Sequence, residues 1–140
     1  MKWSRRCFFL ACLSGFVSVS PWQSLSSQWQ DGVSAILLGI RDIESSEGRD
    51  CGPGDAGELS CFQILPATAL LERCPSHWKH DEAAAAECAG RWLARGARLC
   101  RRWDYYGEAR WYHRGRCLPR HARPLGYEMD VARARLKYLM

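Results

Sequence analysis

The chain has 140 residues, room for one domain with a modest core and too few for a paired Rossmann unit or a barrel enzyme. Hydrophobic residues make up 47% and charged residues 25%, a balance that excludes wholesale disorder. The formal charge is +5, yet Lys2, Arg5 and Arg6 sit at the extreme N-terminus; without them 17 basic residues face 15 acidic ones, which argues against a nucleic-acid partner.

Those three cations precede the apolar run Cys7 to Val19, which is shorter than the roughly 20 residues a membrane-spanning helix needs. The pattern predicts a secretory signal over residues 1–24, with its boundary between 20 and 27, followed by one domain over 27–140. Cleavage is compatible with Ser18 and Ser20 or with Ser26 and Ser27; acylation of Cys12 is the less favoured reading, because "FLAC" lacks the usual leucine. The expected location is secreted or periplasmic, as a monomer without stable membrane insertion once the signal is removed.

Beyond that segment six cysteines remain: Cys51, Cys61, Cys74, Cys88, Cys100 and Cys117. In an oxidising compartment they predict three disulfides, for which the count alone allows fifteen connectivities. Cys74, His77 and His80 have ligand-like spacing, but no second ligand pair follows at a finger spacing, so no metal is expected.

In chain order, Trp29, Val33, Ile36, Leu37, Ile40 and Ile43 recur at three- and four-residue steps and predict an amphipathic helix, with Ser27 and Gln30 as a candidate capping box. "GRDCGPGDAGE" over residues 48–58 holds four glycines and a proline and must turn. "LSCFQIL" then has strand composition, which predicts a small hairpin over about 50–65. A short helix is expected from Ala67 to Arg73, ended by Pro75. Asp81 can cap a helix running to about Cys100, with Ala85, Cys88, Trp92 and Leu99 on its apolar face. Asp104 can cap another to about His113, and Gly126 to Leu139 closes the chain as a helix bearing Tyr127, Val131 and Tyr138.

Charge is segregated along this order. Seven acids against two arginines occupy Asp31 to Glu58, whereas ten arginines against Asp104 and Glu108 occupy Arg91 to Arg123. The second segment is either a solvated helix surface or a patch that attracts an anionic polymer such as a bacterial wall.

Glu44 lies four residues after Ile40 and so continues the apolar stripe at the helix C-terminus. Burial and the negative end of the helix dipole both disfavour its ionised form. Asp55 follows in the glycine-rich loop. One carboxyl in an apolar wall and a second in a polar loop is an arrangement suited to glycoside cleavage.

"IRDIESS" followed by "GELSCFQILPATA" resembles the opening of lytic transglycosylases, where Glu-Ser precedes Gln-Ile and Pro-x-Thr-Ala, and the nineteen-residue step from Glu44 to Gln63 suits that family without a gap. "ARWYHRG" resembles that family's Tyr-Asn-x-Gly segment, and "GYEMDVARARLKYL" its closing helix; together the motifs span roughly residues 30–139. "CGPGDAGELSC" also resembles invertebrate-type lysozymes, which place an aspartate six residues before a Leu-Ser-Cys cysteine. The chain lacks the Gly-containing insertion of those lysozymes and has His113 and Arg114 where transglycosylases have Asn-Ala.

The resemblance implies a lysozyme-like α+β fold, mostly helical, and peptidoglycan as substrate, cut at the bond between N-acetylmuramic acid and N-acetylglucosamine. It implies Glu44 as general acid/base, and Ser45, Gln63, Tyr112 and Tyr127 as groups around the substrate. A single-acid transglycosylase needs no second carboxylate and no cofactor; the alternatives are a hydrolytic lysozyme using Asp55 as well, or a glycan-binding module without activity. His113, the histidine nearest a motif, is a candidate partner, whereas His77, His80 and His121 read as surface residues. A local pairing, Cys51–Cys61, Cys74–Cys88 and Cys100–Cys117, brackets one loop or helix turnaround each, and its first and last pairs echo the cysteine placement of the invertebrate-type family.

Overall fold

The computed structural model describes residues 27–140, with side chains from Ala35 onward. The expected signal segment with Cys7 and Cys12, the candidate capping box of Ser27 and Gln30, and the Trp29 and Val33 side chains all lie outside the described residues. Described are α1 (Ser27–Glu44), α2 (Pro66–Leu71), α3 (Glu82–Leu99), α4 (Tyr105–Arg114) and α5 (Gly126–Arg135), followed by a 3₁₀ turn at Leu136–Tyr138. The described chain is mostly helical.

Local chemistry sets the helix ends. Asp81 accepts the Ala84 N–H at 2.7 Å and starts α3, and Asp104 accepts the Gly107 N–H at 2.8 Å and starts α4. Gly115 ends α4 in the left-handed conformation, φ 59°, which a residue without a Cβ adopts at no steric cost. Pro66 opens α2, where a missing N–H is harmless. α2 stops at Leu71 rather than at the expected Arg73, because Arg73 is left-handed and Arg91 donates to the Glu72 and Arg73 carbonyls at 3.2 and 2.5 Å.

The expected hairpin shrinks to a single antiparallel bridge between Leu59 and Ile64 among the described residues. Ser60 and Gln63 both take positive φ, 69° and 47°, so the segment curls into a tight turn instead of extending a ladder. Its apolar residues still do their packing work. Phe62 and Ile64 are buried with Trp78 and the Ala84–Ala89 face of α3.

A second buried cluster joins Ile36 and Ile40 of α1, Leu93 of α3, Ala109 of α4 and Val131 of α5. Leu37 and Tyr112 touch both clusters and so connect them. The most extensive helix contact is α1 against α5. It depends on Gly39, where a Cβ would stand 2.9 Å from the Arg135 nitrogen and 3.0 Å from the Val131 oxygen. Two positions expected on apolar faces are exposed instead: Ile43 on α1 and Leu99 on α3, each at a helix end beyond its neighbour's reach.

Three disulfides close the chain locally, Cys51–Cys61, Cys74–Cys88 and Cys100–Cys117, as the bracketing pattern anticipates. Closing loops of 10, 14 and 17 residues removes unfolded-state entropy worth about 3 kcal/mol each in the chain-entropy view, a large contribution for so small a core. Cys74 is thereby committed to sulfur rather than to a metal.

One buried ion pair ties α4 to α5. Glu128 is 1% exposed, pairs with Arg110 and accepts the Leu125 N–H at 2.6 Å, closing the first turn of α5. Burial pushes the Glu128 carboxyl up, but the Arg110 guanidinium and the backbone N–H outweigh it and hold it below the usual glutamate range. Arg110→Met leaves that carboxylate buried and unpaired, and denaturant unfolding with disulfides intact is expected to show a loss of about 3–5 kcal/mol at neutral pH. The folded-state shift is downward, so the ion-pair contribution is present at neutral pH and is lost as pH falls through the depressed folded value. The gap between wild type and variant therefore narrows in acid.

Candidate active site

A cleft of about 610 Å³ opens where the C-terminus of α1, the glycine-rich loop, the Gln63–Leu65 turn and the C-terminus of α4 meet. Glu44 enters it from the last residue of α1. The chain then reverses through Ser46, Glu47 and Gly48, all with positive φ, so the loop folds back over the helix end.

Ser45 holds that reversal. It is 0% exposed, donates to the Arg41 carbonyl at 2.6 Å and accepts the Gly48 N–H at 2.8 Å. Both bonds serve the turn, and Ser45, expected among the groups around the substrate, does not line the cleft.

The Glu44 carboxyl accepts a hydrogen bond from the Tyr127 hydroxyl of α5 at 2.5 Å. Burial raises its pKa above the ordinary glutamate value, the Tyr127 hydrogen bond opposes this in part, and the negative charge of Glu58 adds to the rise. A carboxyl whose pKa is raised by burial, with its other oxygen free of a hydrogen bond among the described residues, can donate a proton into the cleft. Tyr127 and Tyr112 are themselves pushed well above the ordinary tyrosine range by burial and by the charge on Glu44, so both remain phenols.

Tyr112 lines the cleft and donates to the Phe62 carbonyl at 2.7 Å, so the α4 tyrosine fastens the turn that carries Gln63. Gln63 in turn donates to the Gly52 and Ser60 carbonyls, both at 2.9 Å, and binds the glycine-rich loop to the same turn. Its amide oxygen faces the cleft side of Gly54, where a Cβ would stand 2.4 Å from it. Asp55 lines the cleft from the exposed tip of the loop. His113 also lines it and stacks on Tyr127, ring centroids 4.2 Å apart and planes 19° apart. Partial burial and the neighbouring Arg114 lower its pKa, so it is neutral at pH 7.

The fold thus brings Glu44, Asp55, Gln63, Tyr112 and His113 to one cleft and sets Tyr127 behind the acid. Sequence reasoning missed Glu58 and Trp92 as cleft residues; both line it, as does Arg114 from the segment where the chain departs from the transglycosylase pattern. Glu58 had no signal of its own, since an acid in a polar glycine-rich loop reads as a solvated turn residue. Trp92 had none either, because an aromatic on the α3 stripe is indistinguishable from core. Of the tryptophans with described side chains, Trp78 and Trp111 are buried, and Trp92 alone lines the cleft. Trp111 packs beside it in a tilted arrangement, ring centroids 4.8 Å apart, and donates its indole N–H to the Trp92 carbonyl at 2.9 Å. Among the described residues no cluster of His, Cys, Asp and Glu is arranged to hold a metal ion.

Compared with known proteins, the chain matches no family model, no curated protein and no solved structure.

The hydrogen bond from Tyr127 favours the ionised form of Glu44, so removing it should raise the Glu44 pKa further. A carbon-13 NMR titration of the carboxyl is expected to move to higher pH in Tyr127→Phe; an unchanged or lower midpoint would contradict this account of the pair.

Proposed function

We propose that this chain cleaves the glycan strands of peptidoglycan at the β-1,4 bond between N-acetylmuramic acid and N-acetylglucosamine, with Glu44 as the acid. The observation that carries the reading is the half-buried carboxyl at the end of α1, its pKa raised by burial, opening into a cleft that also presents an amide, a tyrosine and a tryptophan face. The lytic-transglycosylase-like order of motifs from Glu44 to Val131 supports it, and so does a cleft volume within the ordinary range for small-ligand sites. On this reading the helices form a lysozyme-like fold whose β region is reduced to one bridge.

The chemistry uses groups already in place. Glu44 passes its proton to the glycosidic oxygen as the bond to C1 breaks, and the bonding pair leaves with that oxygen. The muramic acetamido group stabilises the electron-poor C1. The Glu44 carboxylate then takes the proton from the 6-hydroxyl, whose oxygen bonds C1 and closes a 1,6-anhydro ring. General acid catalysis of this kind contributes about 10²–10⁴-fold in rate. Trp92 offers a face for stacking a sugar ring.

A secreted or periplasmic site of action fits the three disulfides, and among the described residues no helix is long and apolar enough to cross a membrane. The arginine-rich stretch from Arg91 to Arg123 supports steering toward an anionic wall.

One observation favours a hydrolytic variant: Asp55 lines the same cleft as Glu44, as a lysozyme's second carboxylate would. Turbidity loss of purified sacculi is expected from the wild type and is expected to fall by about 10²–10⁴-fold in Glu44→Gln; equal clearing by both would remove Glu44 from the mechanism. Mass spectrometry of the wild-type digest is expected to give anhydro-muropeptides, one water lighter than hydrolysed ends. Reducing muramic ends, together with an inactive Asp55→Asn, would make the enzyme a lysozyme.

A further inference from the structure

The glycine-rich loop carries a carboxylate better placed than Asp55. We propose that Glu58 is the second carboxylate of the cleft, facing the cationic sugar ring that forms as Glu44 protonates the departing oxygen. The inference rests on the functional reading above and adds a residue to its site.

Three features of the loop support the assignment. Glu58 is anchored at both ends: its carbonyl accepts the Gly54 N–H at 2.8 Å, and its carboxylate accepts the Ala56 N–H at 3.0 Å. The Glu58 carboxylate and the Gln63 amide oxygen close over Gly54, where a Cβ would stand 2.5 Å and 2.4 Å from them and would push both groups aside. The next residue, Leu59, is fixed by the bridge to Ile64, and the Cys51–Cys61 disulfide closes the loop from outside. Among the described residues no cation pairs with Glu58, which leaves its charge available to the cleft. Asp55 has none of this support: it is exposed, and no hydrogen bond holds its carboxylate among the described residues.

Glu58 is also the acid of the cleft whose charge bears on Glu44, making that carboxyl harder to ionise. The other groups around Glu44 are Tyr127 from α5, Tyr112, His113 and Arg114 from α4, and Asp50 and Asp55 from the loop. Tyr127 and Tyr112 remain phenols and His113 is neutral at pH 7, so the charge that bears on the Glu44 carboxyl comes from Glu58. In the reaction Glu58 transfers no proton and forms no bond. It offsets positive charge at C1 and the ring oxygen, and it makes Glu44 harder to ionise.

The test is the pH–rate profile of the full disulfide-bonded chain on purified sacculi. Glu58→Gln keeps an acceptor for the Ala56 N–H and removes the charge. The expected result is a rate loss on the order of 100-fold, the scale of one preorganised electrostatic group, with the basic limb of the profile moved to lower pH because Glu44 ionises more easily. Glu58→Asp, which keeps the charge on a shorter arm, is expected to lose rate while holding the limb near its wild-type position; it stands as the readout if the glutamine variant does not fold. Asp130→Asn, an exposed acid on α5, controls for a general change in net charge. A wild-type rate and profile in Glu58→Gln, an Asp variant whose limb moves down without its charge being lost, or a larger loss in Asp55→Asn than in Glu58→Gln overturns the proposal. If Glu44→Gln is inactive and Glu58→Gln is unaffected, the assignment of Glu58 fails and the functional reading stands. If Glu44→Gln is fully active, the functional reading fails and this assignment fails with it.

Discussion

The approach of α5 across α1 is the constraint on which the site depends. Gly39 lets the two backbones come close enough for Val131 to pack against Ile36 and Ile40. That contact sets where the first turn of α5 lies, and the first turn carries Tyr127. Only there can the phenol reach the Glu44 carboxyl at the far end of α1. The acid is therefore positioned by a helix that arrives more than eighty residues later in the chain, and its protonation depends on how tightly that helix closes over it.

The cleft is assembled around this pair by short-range devices rather than by a large core. Ser45 folds the chain back over the helix end, Gln63 staples the glycine-rich loop to the turn, and Tyr112 staples the turn to α4. Two of the residues in that turn, Ser60 and Gln63, sit in a left-handed conformation that costs energy for side chains other than glycine. Disulfide closure and the buried Phe62 and Ile64 hold them there. Strain concentrated beside a carboxyl with a raised pKa is the pattern expected where positioning matters more than local stability.

Electrostatics divides the cleft. Its floor and loop wall carry Glu44, Asp50, Asp55 and Glu58, whereas the α4 wall ends in His113 and Arg114. On the proposed reaction, the acids suit the positive charge that develops at the sugar ring, and the arginine suits the carboxylates of a peptidoglycan substrate. Elsewhere the arginines are partly occupied by structure: Arg91 and Arg95 anchor α2 through Glu72 and the adjoining carbonyls, and Arg102 reaches Asp104 and the carbonyls of the loop before α5. The basic stretch is thus both scaffold and surface.

Much of this was legible before any coordinates. The 3.6-residue stripe, the Asp81 and Asp104 caps and Pro66 carry local information, and local information sets helix positions. The bracketing of loops by cysteines likewise gave the three pairings, because short closures are the least costly. Glu44 stood out because an acid on an apolar stripe breaks the pattern of its own helix. The β-hairpin was not legible: strand composition in "LSCFQIL" reflects burial of Phe62 and Ile64, and burial does not require an extended ladder. Nor could the sequence separate Ser45, which turns inward to serve the backbone, from Glu58, which turns into the cleft. Polar residues of the same region point to different sides, and only the packing of α5, α4 and the loop against the end of α1 decides which of them meets the site.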